Sequence, residues 1–402
     1  MPKYFFPLLI LSLIAICVEV DMSAPSFPDM ARYFAADEGT IQRTISYNFL
    51  GFFLASLFYG PLSDAWGRRP LMLAGNFLLS LGAIACVIAP NIDFLLVARF
   101  LQGVGGGASA VLVFAIMGDV YKDQEMVSKG AIMNALLTGL MAIAPVIGSF
   151  VNQAVSWRGN YAVVAVICLL SLGALLWKLP ETNLKKKPVK AKTIAQDFKS
   201  LLWSWRFLKM ALVPTVLCAG YFCFIASASF LYTEVFNVTI YAYAAHQAAV
   251  VGMFSISSIS AGRLMKRWGS PRALRRGIGG AVLGGVWLLI VSLCFKTNAT
   301  LFTLGMVIFA AGFALVYPIV FAASLQVFPA IGGTASALIM SLRGLFITVG
   351  VAAGSIAYSD SAISVAWVIG VTILLGAVLT VTFLKDPLFK APVVGAECQV
   401  HF

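Results

Sequence analysis

Four charged side chains stand inside long apolar runs, Glu19, Asp21, Arg99 and Arg343, and a fifth, Glu234, stands near the edge of another. Ionised groups in such surroundings cost free energy and mark proton or ion handling, or charge pairing within a helical bundle. Asp21 lies well into the first run, roughly 26 Å along a helix rising 1.5 Å per residue. A carboxylate held there binds or releases a proton as its exposure changes, and a guanidinium such as Arg99 modulates that exchange. Asp21, Arg99 and Glu19 are therefore the expected proton-coupling set. Glu19 and Asp21, two residues apart, project about 200° apart around a helix and cannot share one face. Catalysis is a poorer use of these groups. Only two histidines, His246 and His401, are present, and no nucleophile-base or metal-ligand spacing appears. No metal or organic cofactor is expected, and a proton gradient is the expected energy source. A receptor-like chain, binding without flux, is the remaining class.

The elements that must position these charges follow from composition. The 402 residues are 60% hydrophobic and only 11% charged, and the mean hydropathy is +0.93. Such a chain folds in lipid, where each crossing needs about 20 mostly apolar residues and must be helical to satisfy its own backbone. Twelve segments qualify, near 4–31, 40–62, 70–90, 93–118, 128–155, 159–179, 207–235, 243–265, 272–295, 300–325, 333–358 and 363–384. Lys3 and the greasy run after it imitate a signal peptide. Glu19, Asp21 and the lack of a small-residue cleavage pattern favour a retained first helix.

Charge sets the expected orientation. Of the 28 Lys and Arg, 22 fall on the side that carries both termini and 4 on the other, which places both ends in the cytoplasm. The net charge of +12 reflects this bias and the anionic inner leaflet, so no nucleic-acid partner is implied. The seven cysteines show no disulfide or zinc spacing.

The expected organisation is an N-terminal six-helix bundle over 1–180, a cytoplasmic linker over 181–206, a C-terminal bundle over 207–385 and a cytoplasmic tail over 386–402. The linker opens on Lys185, Lys186 and Lys187, and Ile194, Phe198, Leu201, Leu202 and Trp205 then recur at the spacing of a helix lying on the membrane face. Gly60, Asp64, Gly67, Arg68 and Arg69 after span 2 are echoed by Gly262, Lys266, Gly269 and Arg272 after span 8, offset by 202 residues. A repeat at half the chain length points to a duplicated transporter.

The segment GPLSDAWGRRPLML, from Gly60, resembles the signature loop of the major facilitator superfamily. CVEVDMSAPSFPDM from Cys17 is similar to the first helix of the bicyclomycin-resistance type of drug:proton antiporters. ARFLQGVGGG from Ala98, GDVY from Gly118 and APVIGS from Ala144 resemble that family's fourth- and fifth-helix motifs. Ala65, Gly118, Ala144 and Ser149 depart from the pattern, which bears on antiport direction more than on fold. The resemblance implies an all-α membrane protein of twelve helices in two pseudo-symmetric bundles, working by alternating access. It places Asp64 against the start of span 11, near Gly332 to Thr334. A conformational latch is implied from Gly60, Asp64, Gly67, Arg68, Arg69 and Asp119, with Arg68 meeting Asp119, and a hinge from Pro145 and Gly148. The glycine-rich run after Gln102 imitates a dinucleotide fingerprint but follows no strand; its small residues suit close helix packing.

Candidates for a substrate cavity, apolar with a few polar groups, are Tyr47, Asn48, Gln102, Asn134, Tyr221, Tyr232, Tyr317 and Arg343. The expectation is a monomeric, proton-coupled exporter of small, fairly apolar compounds in a bacterial inner membrane. The alternative is the same fold moving a dedicated metabolite or siderophore, or importing as a symporter.

Overall fold

The computed structural model describes residues 4–121, 123–183, 191–328, 331–358 and 361–384. The lysine run Lys185 to Lys187 and the tail 386–402 lie outside these. Among the described residues there is no β-strand, and twelve helices are long and apolar enough to cross a membrane.

The first crossing is broken once. Helix α1 (Phe5–Ser23) passes through a tighter turn at Ala24–Ser26 into α2 (Phe27–Phe34), because Pro25 and Pro28 remove donors that a continuous α-helix would use. Next come α3 (Glu38–Trp66), α4 (Arg68–Ile88), α5 (Ile92–Val120), α6 (Asp123–Ala154) and α7 (Trp157–Lys178). The short α8 (Ala191–Trp203) precedes α9 (Trp205–Phe230), which runs into a wider turn at Leu231–Val235. The remaining crossings are α10 (Ile240–Trp268), α11 (Ser270–Cys294), α12 (Ala299–Val327), α13 (Gly332–Ala357) and α14 (Ala362–Phe383). Several helices begin before their apolar run because polar caps extend them. Asp37, Asn91, Thr239 and Asn298 each accept a backbone N–H of the first turn.

The duplication is visible in the packing. In the first half α3 packs on α5, α4 on α5 and α7, and α1 on α6 and α7. The second half repeats every pairing: α10 on α12, α11 on α12 and α14, and α9 on α13 and α14. The two bundles meet along α3 with α13 and along α6 with α10, a pair of seams exchanged by the same pseudo-symmetry.

Close helix approach depends on absent side chains. A Cβ on Gly103 would collide with the Asn48 carbonyl of α3, and one on Gly148 with the Met22 carbonyl of α1. The run Gly105 to Gly107 is likewise buried in a helix, α5, which removes any nucleotide reading. At the loops, Gly67 (φ 110°) and Gly269 (φ 78°) take up backbone angles that disfavour other residues. Helix α8 lays Leu201 and Phe198 on a cluster with Phe207, Leu338 and Ile339, leaving its Leu202 and Trp203 exposed, while the expected helix residue Trp205 instead opens α9. Below, the face carrying the α3–α4 and α10–α11 loops is called the basic face.

Candidate functional site

The two acids of α1 diverge, as their angular separation requires, and each meets a different bundle. Glu19 points into its own bundle, where its Oε2 lies 3.9 Å from Arg99 Nη1. Both side chains are almost fully buried, at 5% and 0% exposure. Arg99 Nη1 also donates to Gln102 Oε1 at 2.9 Å, and the guanidinium lies 5.7 Å from the Tyr161 ring centroid. Its Nε and Nη2, and Glu19 Oε2, have no hydrogen-bond partner. Asn48 flanks the pair, facing Glu19 and reaching the Arg99 carbonyl at 3.4 Å. A charge pair this deep is held by mutual attraction, since burial alone would penalise each member.

Asp21 points the other way. It faces the amide of Gln247 on α10, whose Nε2 closes no hydrogen bond, and Tyr243 hydrogen-bonds to Gln247. The expected adjacency of Asp21 and Arg99 is thus replaced by Glu19 with Arg99 and Asp21 with Gln247. The periodicity showed that the acids diverge, but which neighbour each meets depends on helix rotation.

Arg343 is the second guanidinium in the interior. Its Nη1 donates to the Tyr317 hydroxyl at 3.1 Å, and its charge centre is 5.7 Å from the Phe52 ring of the opposite bundle. Tyr221 is buried among Phe222, Phe254 and Phe313, its hydroxyl unpartnered.

Three cavity candidates lie elsewhere. Tyr47 is 38% exposed and shares a helical stripe with Leu54 and Phe58, on the side of α3 turned from its neighbours. Asn134 donates to Ser258 Oγ at 3.3 Å, in the α6–α10 seam. Tyr232 is enclosed in the second bundle, where its hydroxyl meets Thr303 Oγ1 at 2.5 Å and Thr303 meets His246 Nδ1 at 2.9 Å.

On the basic face, Arg68 gathers the loop. Its Nη1 is 2.6 Å from Asp64 Oδ1 and its Nε donates to Asp119 Oδ2 at 3.0 Å. Arg69 donates to the Leu176 carbonyl at 3.1 Å. Asp64 is 54% exposed. Among the described residues its side chain pairs with Arg68 alone, and the space around Gly332 and Gly333 is open. Gly60 still approaches Ala337 of α13.

Glu181, taken from the sequence only as the start of the linker, completes this site. Its carboxylate accepts the backbone N–H of Arg68 at 2.8 Å and of Arg69 at 3.3 Å. It thereby caps α4 where the helix dipole favours an anion. Thr182 donates to Asp119 at 3.1 Å, and Asn183 donates to the Asp64 carbonyl at 2.9 Å. Pro145 lies within an unbroken α6, where its carbonyl accepts from Ser149 Oγ at 2.9 Å.

Two bundles of six membrane-crossing helices, with buried charges where they join and a charged loop bracing one end, define a polytopic membrane transporter. The chain belongs to the Major Facilitator Superfamily, whose sequence model matches residues 9–351. It is 25% identical over 378 residues to the bicyclomycin resistance protein homolog of Haemophilus influenzae, covering 92% of this chain and 94% of that protein. It is 27% identical over 325 residues to the multidrug resistance protein MdtM of Escherichia coli, covering 79% and 78%. Among solved structures, a D-xylose-proton symporter superposes with a TM-score of 0.78 at 14% identity, covering 98% of this chain and 99% of that one, which establishes the fold.

Proposed function

We propose that the chain is a proton-coupled exporter of small, fairly apolar compounds, working as a monomer by alternating access. We place it in a bacterial inner membrane with the basic face and both termini cytoplasmic. The observation that carries this reading is the placement of two acids on one helix, Glu19 within the first bundle and Asp21 against the second.

A proton arriving at Asp21 changes what α1 offers to Gln247 and so biases how the bundles meet. Glu19 and Arg99 attract one another at 3.9 Å without a closed hydrogen bond, so a change at Asp21 two residues away can shift the pair. Arg99 then acts as the fixed charge of the proton site. The Arg68, Asp64, Asp119 and Glu181 cluster holds the α3–α4 loop, a latch whose partner in the other bundle is α13. The relatives named for drug resistance support export and an apolar cargo.

The test is an acidified inverted vesicle carrying the wild-type chain, Asp21→Asn or Glu19→Gln, read with a pH-sensitive dye. Substrate addition should dissipate the gradient in the wild type and not in Asp21→Asn. Full dissipation by Asp21→Asn removes that residue from coupling, and acidification driven by substrate in the opposite sense defeats export.

A further inference from the structure

The two interior guanidiniums, Arg99 fully buried and Arg343 partly so, differ in what balances them. Arg99 has Glu19. For Arg343, near the middle of α13, no ion pair with a carboxylate is found among the described residues. Its polar neighbours are the Tyr317 hydroxyl, on Nη1, and the thiols of Cys17 and Cys218 within electrostatic range. Its Nε is buried with no hydrogen-bond partner.

The Tyr317 and Phe52 contacts, with Cys17 and Cys218 farther off in electrostatic range, also locate Arg343. Tyr317 is on α12, Cys17 on α1, Cys218 on α9 and Phe52 on α3, so the guanidinium is surrounded by four helices drawn from both bundles. That position is the interface of the two halves near mid-membrane depth, where duplicated transporters place their substrate site. Arginine never gives up its charge and presents a planar fork of donors suited to carboxylates and phosphates. A permanent cation at mid-membrane depth with donors to spare is costly unless an anion is supplied from outside the chain.

The surroundings select the rest of that anion. Phe52 covers one side of the guanidinium, Tyr317 stacks on Phe321 with rings 6° from parallel, and Phe49 meets Phe222 across the bundles with centroids 4.8 Å apart. The wall beside Arg343 is aromatic, and the charge it presents there is positive.

We propose that Arg343 is the cargo-reading charge of the central junction, and that the compounds moved are amphiphilic anions: an aromatic or otherwise apolar body bearing a carboxylate. This rests on the transporter reading above and narrows its substrate class. The acid group pairs with the free donors of Arg343 while the body lies against Phe52 and the Tyr317–Phe321 stack. Asp21, on the other side of the junction, disfavours a second negative charge, so monoanions bind better than dianions.

The test is equilibrium binding to the purified full-length chain in detergent, with empty micelles subtracted and no gradient. The probes are naphthoate, its uncharged amide and the cationic naphthylmethylamine. Naphthoate should bind at least about tenfold more tightly than either analogue, as expected for losing one partner of a buried charge pair. Arg343→Gln should erase that preference, and Arg343→Lys, which keeps the charge without the fork, should retain part of it. Equal binding of the three probes, preference for the amine, or a preference surviving Arg343→Gln overturns the proposal. So does displacement of naphthoate by equimolar chloride, which would assign the site to an inorganic anion. If Arg343→Gln does not fold, the wild-type probe series and Arg343→Lys still decide. Failure of export in vesicles with the naphthoate preference intact would sink the export reading and leave this one standing.

Discussion

Glu19 and Arg99 face each other at 3.9 Å, sealed from solvent inside the first bundle. Removing either partner leaves an unbalanced charge in an apolar interior, which costs about 3–5 kcal/mol, whereas removing both restores neutrality. Glu19→Gln and Arg99→Gln should each lower the thermal midpoint of the purified protein sharply. The double variant should lie nearer the wild type than either single one. Additive losses in calorimetry or thermal-shift assays would show that the two charges do not support one another.

Glu181 joins the end of span 6 to the start of α4 through two backbone N–H groups. Glu181→Ala should cost about 1 kcal/mol, the value of a lost helix cap, and Glu181→Gln less, since its amide oxygen still accepts. In vesicles, the alanine variant should slow transport and raise labelling of a cysteine placed at Ser63, which the same cluster encloses. Unchanged labelling would show that the loop is held without Glu181.

Asn134 and Ser258 meet across the α6–α10 seam at 3.3 Å, so alternating access must change their separation or their tilt. A short reducible cross-link between cysteines at these positions, with the native cysteines replaced, should arrest transport, and reduction should restore it. Transport at an undiminished rate in the linked protein would remove this seam from the moving parts.

Asp37 caps α3 by accepting the Thr40 N–H at 2.8 Å and the Thr40 hydroxyl at 2.7 Å, and these bonds hold its carboxyl below the usual range. A folded-state pKa below the unfolded one gives stabilisation that is present above the unfolded pKa and fades as the pH falls through the folded value. Asp37→Ala should therefore cost about 1 kcal/mol at neutral pH and progressively less in acid. A constant penalty from neutrality down to strongly acidic pH would mean that the carboxylate's charge is irrelevant to the cap.

Much of the architecture could be read along the chain. Each crossing must satisfy its own backbone in lipid, so apolar length alone marks the twelve helices, and the glycine pairs repeated 202 residues apart mark two halves. Arg68 and Asp119 follow from the resemblance of GPLSDAWGRRPLML and GDVY to major facilitator motifs. Glu181 was missed because it lies 113 residues from the N–H it caps, and nothing local ties it to α4.

The buried charges divide differently between sequence and structure. Their presence, depth and the divergence of Glu19 from Asp21 follow from the helical repeat and the price of charge in lipid. Which acid meets Arg99, that Tyr47 turns outward while Asn48 turns in, and that Arg343 forms no ion pair among the described residues were decided by helix rotation and packing. A helical repeat gives angles within one helix but sets no angle between two. That relation comes from tertiary contacts such as the Gly103 approach to Asn48, which fixes how α3 and α5 face one another and therefore what stands beside Arg99.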